Sequence, residues 1–240
     1  MGAEARFSPI TGFAQISEKL LVVADSFHHC MRLIDRATNK TSVFSGQCES
    51  RGYEDGSPGQ FNSPWSVAMD QIRDKNQLLI TDRYNKALRT VDVKSQAVST
   101  FVQSDSLDQL RSMTQEEKSG DLYVTAYHAV YRIMYIEKTV SLMSGSTGSN
   151  SGYKDSTLLN SLFYDPFEII FITPKTLLVA DAGNNKLRLV DMTSDKVTTL
   201  NVTSSLNEPT SLLLTNNALY VGQIKIITQC KCDYYSIFLT

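Results

Sequence analysis

Short apolar runs, each closed by polar residues, recur along the chain. Leu20–Ala24, Leu78–Thr81 and Leu177–Ala180 are the clearest. Runs of this length, rich in Leu and β-branched residues and bounded by turn formers, predict strands. A polar loop follows each, then a second run at Leu33–Ile34, Thr90–Val91 or Leu189–Val190. After a further polar turn comes a third, at Thr41–Phe44, Ala97–Phe101 or Val197–Leu200. A fourth type lies upstream: an apolar residue shortly before Pro, then another apolar segment. It occurs as Phe7 and Pro9 before Ile10–Ala14, and as Phe61 and Pro64 before Trp65–Met69. Phe163 and Pro166 before Phe167–Phe171, and Leu206 and Pro209 before Thr210–Leu214, repeat it. Four short strands per unit predict the blade of a β-propeller.

The polar positions keep register with these runs. Asp25, Arg32 and Asp35 recur as Asp82, Arg89 and Asp92 and as Asp181, Arg188 and Asp191, with identical spacing. Self-similarity at a period of roughly 40–50 residues marks a repeat architecture. Two weaker copies follow Leu122–Thr125 and Leu219–Val221, without the Asp pair. The blades are expected at 7–46, 61–102, 107–143, 163–200 and 206–228, the last incomplete. Residues 229–240, with Cys230 and Cys232, match no blade strand.

In the second copy the motif comprises Gly52, Tyr53, Asp55 and Gly56, then Phe61, Asn62 and Pro64, then Leu78, Asp82, Asn85, Leu88 and Arg89. This pattern resembles the NHL repeat, and the likeness extends from Phe7 to about Thr228. It implies an all-β, NHL-type propeller, whose usual ring has six blades. In most copies the His of the family name is replaced. Some propellers similar to this family are enzymes: amidating lyases hold zinc with three His, and lactonase types hold calcium with Glu, Asp and Asn. Others, in ubiquitin-ligase-type proteins, bind single-stranded RNA through a basic face.

Composition narrows these alternatives. A balance of 23 basic against 25 acidic residues offers little electrostatic pull for nucleic acid. There are three His in all, His28, His29 and His128. The positions after Pro, where the lyase-like ligands are expected, hold Trp65, Phe167 and Thr210. No apolar run reaches the roughly 20 residues of a membrane-spanning helix. No cofactor is expected.

Cys30 opens a predicted third strand and Cys48 follows the fourth. A hairpin turn centred near residue 38 or 39 would face Cys30 with residue 47 or 48, within disulfide reach. Asn39 and Asn201 each begin an Asn-x-Thr sequon in an exposed connection. Together these features point to an extracellular or cell-surface protein, with a cytoplasmic one as the alternative.

Three equivalent Asp–Arg pairs cannot form one active site. Asp25, Asp82 and Asp181 are expected to shape turns. Arg32, Arg89 and Arg188 are expected to reach carboxylates between strands or blades, and Asn85, Asn184 and Asn185 to take left-handed backbone angles. Function is then expected on the loop face. Its candidates are Phe27, His28, His29, Arg83, Tyr84, Lys86, Tyr127, His128, Asn184 and Asn185, with Tyr53, Glu54, Tyr153 and Lys154 from the inserted loops. Such a face suits a protein or glycan partner in a non-enzymatic binding or scaffold module.

Overall fold

A computed structural model describes residues 6–72, 76–215, 218–223 and 227–230. The chain is an all-β propeller built from consecutive antiparallel sheets, one per repeat. The first contains β1 (Ile10–Gln15), β2 (Leu20–Asp25), β3 (Cys30–Asp35) and β4 (Lys40–Ser45), and the second β5 (Pro64–Met69), β6 (Gln77–Asp82), β7 (Ala87–Asp92) and β8 (Val98–Gln103). The third contains β9 (Leu110–Gln115), β10 (Leu122–Ala126), β11 (Ala129–Ile133) and β12 (Val140–Gly145). The fourth gains a fifth, two-residue edge strand: β13 (Ser156–Thr157) pairs β17 (Lys196–Leu200), beside β14 (Pro166–Thr173), β15 (Thr176–Asp181) and β16 (Lys186–Asp191). The last has β18 (Pro209–Leu214), β19 (Leu219–Gln223) and β20 (Ile227–Cys230). Its third strand therefore reaches Cys230, past the boundary the apolar pattern placed at 228; Cys232 lies outside the described residues.

The chain forms two compact units. One holds the first two blades with Glu117–Gly120 and Met134–Thr139; the other holds Ser112–Glu116, Asp121–Ile133 and the later blades. In the first, Val22, Ala24, Met31, Phe44, Phe61, Leu78 and Ile80 form a single buried cluster. In the second, Phe163, Ile169, Leu177, Val179 and Val190 form one, and Leu178, Ala180, Leu212 and Val221 another. The middle strands are continuous apolar runs because both their faces are buried: Leu78, Leu79 and Ile80 have no exposed area. Each such side chain contributes roughly 1.5–3 kcal/mol of burial free energy.

The strands that follow Pro share one irregularity. Pairing of β5 with β6 slips between Pro64 and Val67, of β14 with β15 between Pro166 and Ile169, and of β18 with β19 between Pro209 and Ser211. Carbonyls near the start of a blade's first strand accept Thr hydroxyls from the preceding blade. Thr11 donates to the Trp65 carbonyl at 2.6 Å, and Thr81 to that of Arg111 at 2.7 Å. Thr125 donates to the Phe167 carbonyl at 2.5 Å in the second unit. Trp65, Arg111 and Phe167 thus occupy one repeat position. In blade three Leu110 stands where the neighbouring blades have Pro.

The Cys30–Cys48 disulfide is present, with S–S 2.04 Å and Cα–Cα 4.9 Å, but not by the expected route. Ladder pairing runs from Asp35↔Lys40 to Arg32↔Val43, then shifts to Met31↔Ser45. This centres the hairpin one residue earlier than expected, so Cys48 does not sit across the ladder from Cys30. The chain leaves the sheet at Gly46 (φ +85) and turns back at Glu49 (φ 67). There the Glu49 N–H donates to the His28 carbonyl at 2.7 Å, and Cys48 comes onto Cys30. A side chain at Gly46 would force a shift, since its Cβ would stand 2.8 Å from the Phe61 ring.

Candidate binding face

Three second strands end in an Asp followed by a single 3-10 turn: Ser26–His28, Arg83–Asn85 and Ala182–Asn184. Each turn closes on a left-handed residue, His29 (φ 58), Lys86 (φ 53) or Asn185 (φ 55). Of the three asparagines expected to be left-handed, only Asn185 is. Asn85 and Asn184 use their amides instead, donating to Asp82 and to the Gly52 carbonyl, and to Asp181 and the Gly152 carbonyl.

Beneath two of these turns lies the same buried clamp. Arg89 has no exposed area and donates through NH1 to Asp82 Oδ2 (2.8 Å) and the Gln60 carbonyl (3.1 Å). Its NH2 reaches Asp55 Oδ1 (2.6 Å) and the Glu54 carbonyl (2.8 Å), and the Tyr53 ring lies 4.7 Å from its Cζ. Arg188 repeats this on Asp181 (2.7 Å), the Leu162 carbonyl (3.0 Å), Asp155 (2.6 Å) and the Lys154 carbonyl (3.0 Å), with Tyr153 at 5.0 Å. The inserted loops are therefore tied down by arginines more than thirty residues away. Burial pushes the Asp55 carboxyl up, but donation from Arg89 and Thr100 outweighs it and holds the group below the usual range. Burial dominates at Asp82, which is pushed up despite Asn85, the Asn62 N–H and Arg89.

Blade one departs from this pattern, so the expectation that Arg32 reaches a carboxylate fails. Asp25 instead takes the Ser8 N–H at 2.8 Å and His28 Nδ1 at 3.0 Å, His28 filling the slot used elsewhere by Asn. Arg32 lies over Phe7 and 3.7 Å from Cys48 Sγ.

A second device joins successive blades within each unit. His29 Nδ1 accepts the Ser63 N–H at 3.0 Å, and His128 Nδ1 accepts that of Asp165 at 3.2 Å. Asn185 Oδ1 accepts the Glu208 N–H at 2.7 Å. Each acceptor receives the residue just before a bulged strand, and Ser63, Asp165 and Glu208 all have positive φ. Both imidazoles must present a bare Nδ1. Burial, Arg51 and His28 keep His29 below its ordinary value, favouring that neutral form. His128, expected on an open rim, is buried, its ring 3.9 Å from Tyr127 and 5.5 Å from Tyr164.

Blade two replaces this latch. Lys86 offers no acceptor and pairs with Asp105 at 3.2 Å, while Arg83 turns inward. Arg83 is 9% exposed, with its Cζ 4.3 Å from the Trp65 ring and 5.1 Å from Tyr84. Arg111, also buried, lies 5.9 Å from the same indole. Trp65 and Arg111 were missed as site residues. Their signal was the shared position after Pro64 and Leu110, visible only once blade three is in register. In the first unit Phe27, Tyr53, Glu54 and Tyr84 are exposed, and in the second Tyr153, Lys154, Tyr164 and Asn185. In the second unit, Tyr164, Asp165, Phe167, Asn185, Glu208 and Thr210 border a cleft of about 280 Å³. Asn39 and Asn201 are both exposed. Among the described residues, no three His, Cys, Asp or Glu side chains are grouped to hold a metal ion. Nor is any helix long and apolar enough to cross a membrane.

No family model and no curated protein matches the chain. Solved structures do. An auxiliary nutrient-binding protein from Bacteroides ovatus aligns with TM-score 0.71 and 14% identity, over 91% of this chain and 57% of its own length. A chain of a nidogen–laminin complex aligns at 0.65 and 13% identity, over 92% and 75%. A streptogramin B lyase aligns at 0.63 and 10% identity, over 95% and 70%. At such identities the likeness is one of fold, and the fold it shows is the β-propeller.

Proposed function

We propose that the chain is an NHL-type propeller acting as a non-catalytic binding module, its loop face meeting a protein or glycan partner outside the cell. The observation that carries this reading is the Asp–Arg clamp. Loops bearing Tyr53, Tyr84 and Tyr153 are fixed from beneath by fully buried arginines, while the rings stay 41%, 50% and 53% exposed. Rigid aromatic groups held in advance of binding lose little entropy on contact. The Cys30–Cys48 disulfide fits an oxidising compartment, and Asn39 and Asn201 would carry glycans there. A nutrient-binding protein and a nidogen–laminin complex among the similar structures agree with a binding role.

The test uses protein secreted from cultured cells, presented to matrix proteins and to a glycan array. A partner should be captured, and Tyr84→Ala or Lys86→Ala should weaken capture by about tenfold or more without changing Tm. Saturable, salt-sensitive binding of single-stranded RNA would overturn the reading. So would stoichiometric zinc or calcium accompanied by lyase or lactonase turnover.

A further inference from the structure

We infer that Arg83, held between Trp65 and Tyr84, receives a carboxylate from an Asp- or Glu-bearing turn of a partner polypeptide. This deepens the binding reading and rests on it.

The chain supplies its own comparison. Four buried arginines lie against aromatic rings: Arg89 on Tyr53, Arg188 on Tyr153, and Arg83 and Arg111 on Trp65. The first two each take two carboxylates, one from the strand end and one from an inserted Tyr-x-Asp turn. Among the described residues, Arg83 takes none. Its polar side-chain contact is the neutral Gln109 Oε1, 3.4 Å from NH2; its Nε is buried without a partner, as are those of Arg89 and Arg188, so the contrast lies in the missing carboxylates. An arginine nine-tenths buried and lacking an anion is costly, and the indole face offsets only part of that. Tyr84, half exposed, lies with its ring 5.1 Å from the Arg83 Cζ. The guanidinium is thus desolvated, stacked on the indole and short of an anion, which suits one planar, forked acceptor.

A carboxylate fits better than a phosphate chain. Nucleic acid needs several cations in a row, and the neighbouring Lys86 is already paired with Asp105. A polypeptide source follows from Asp55 and Asp155, which reach their arginines on short turns together with a carbonyl from the residue before. The aromatic cover those turns bring is here already supplied by Trp65 and Tyr84.

Trp65 is the chain's one tryptophan, so its indole N–H resonance reports on this position alone. The probes are acetyl-Gly-Glu-Asp-Gly-amide, its isostere acetyl-Gly-Gln-Asn-Gly-amide, and sodium phosphate. The acidic peptide should shift the resonance saturably, with Kd on the order of 1 mM or tighter, and the isostere should bind at least about tenfold more weakly. Arg83→Gln should abolish the shift and Arg83→Lys should retain part of it. Should Arg83→Gln fail to fold, the isostere and the Lys variant carry the comparison. Equal binding of the two peptides, no shift with the acidic peptide, or full binding by Arg83→Gln would overturn the inference. Phosphate binding in place of peptide would overturn the polypeptide source. Partner capture that survives Arg83→Gln would sink this inference while leaving the binding module standing; absence of all capture would sink both.

Discussion

Arg89→Ala should unfold this protein more readily without acting selectively on binding, and the size of the effect follows from the clamp. Arg89 and Asp82 are both fully buried, and Asp82 would be left with its charge and no guanidinium. Breaking a buried pair from one side costs about 3–5 kcal/mol. The outer partner, Asp55, is half exposed at 53%, so its pairing with Arg89 contributes only about 0–1 kcal/mol. Asp55→Ala also removes acceptors for the Thr100 N–H and hydroxyl, which adds about 1 kcal/mol. Arg89→Ala should therefore lower Tm by roughly 6–20 °C and Asp55→Ala by roughly 2–8 °C, at 2–4 °C per kcal/mol for a domain of this size. Arg188→Ala and Asp155→Ala should reproduce both values, because the second clamp repeats the first bond for bond. Thermal melts followed by circular dichroism, with urea midpoints as a second measure, provide the comparison. An Arg89→Ala variant that keeps its Tm but loses its partner would refute the structural role. Equal losses for Arg89→Ala and Asp55→Ala would refute the ranking by burial.

Three further outcomes are expected. Because His29 is held below its ordinary value, the unfolded chain takes up its proton first; stability from this group is present above pH 6.5 and lost as pH falls below it. His29→Asn should keep the Ser63 bond, as Asn185 does for Glu208, and remove that part of the Tm change between about pH 7.5 and 5.5; an unchanged pH profile would contradict it. Reducing the Cys30–Cys48 bridge, which spans 18 residues, should cost about 3 kcal/mol, measured as the shift in urea midpoint with and without reductant. Gly46→Ala should cost at least about 1 kcal/mol, since it adds a positive-φ penalty to a contact with the Phe61 ring; a variant as stable as the parent would show that the bend can relax.

Much of the architecture was legible in the chain because its causes are local. Apolar runs of four to six residues, turn formers between them and Pro at the start of β5, β14 and β18 specify strands whatever lies nearby. The seven-residue step from Asp82 to Arg89 follows from the same local geometry. A 3-10 turn makes Asp82 face Ala87, and Arg89 then lies two residues along the same face. Contacts made over long separations were not legible. That Tyr53 and Asp55 close over Arg89, that His29 accepts from Ser63, and that Arg83 lies on Trp65 depend on how blades stack within a unit. No spacing rule encodes that placement. Even the disulfide, expected from a ladder, forms because a one-residue slip and a left-handed Gly46 turn the chain back. Local propensity chose the strands and their order; packing between blades decided which polar groups became clamps and which guanidinium groups, those of Arg32 and Arg83, were left without an acid.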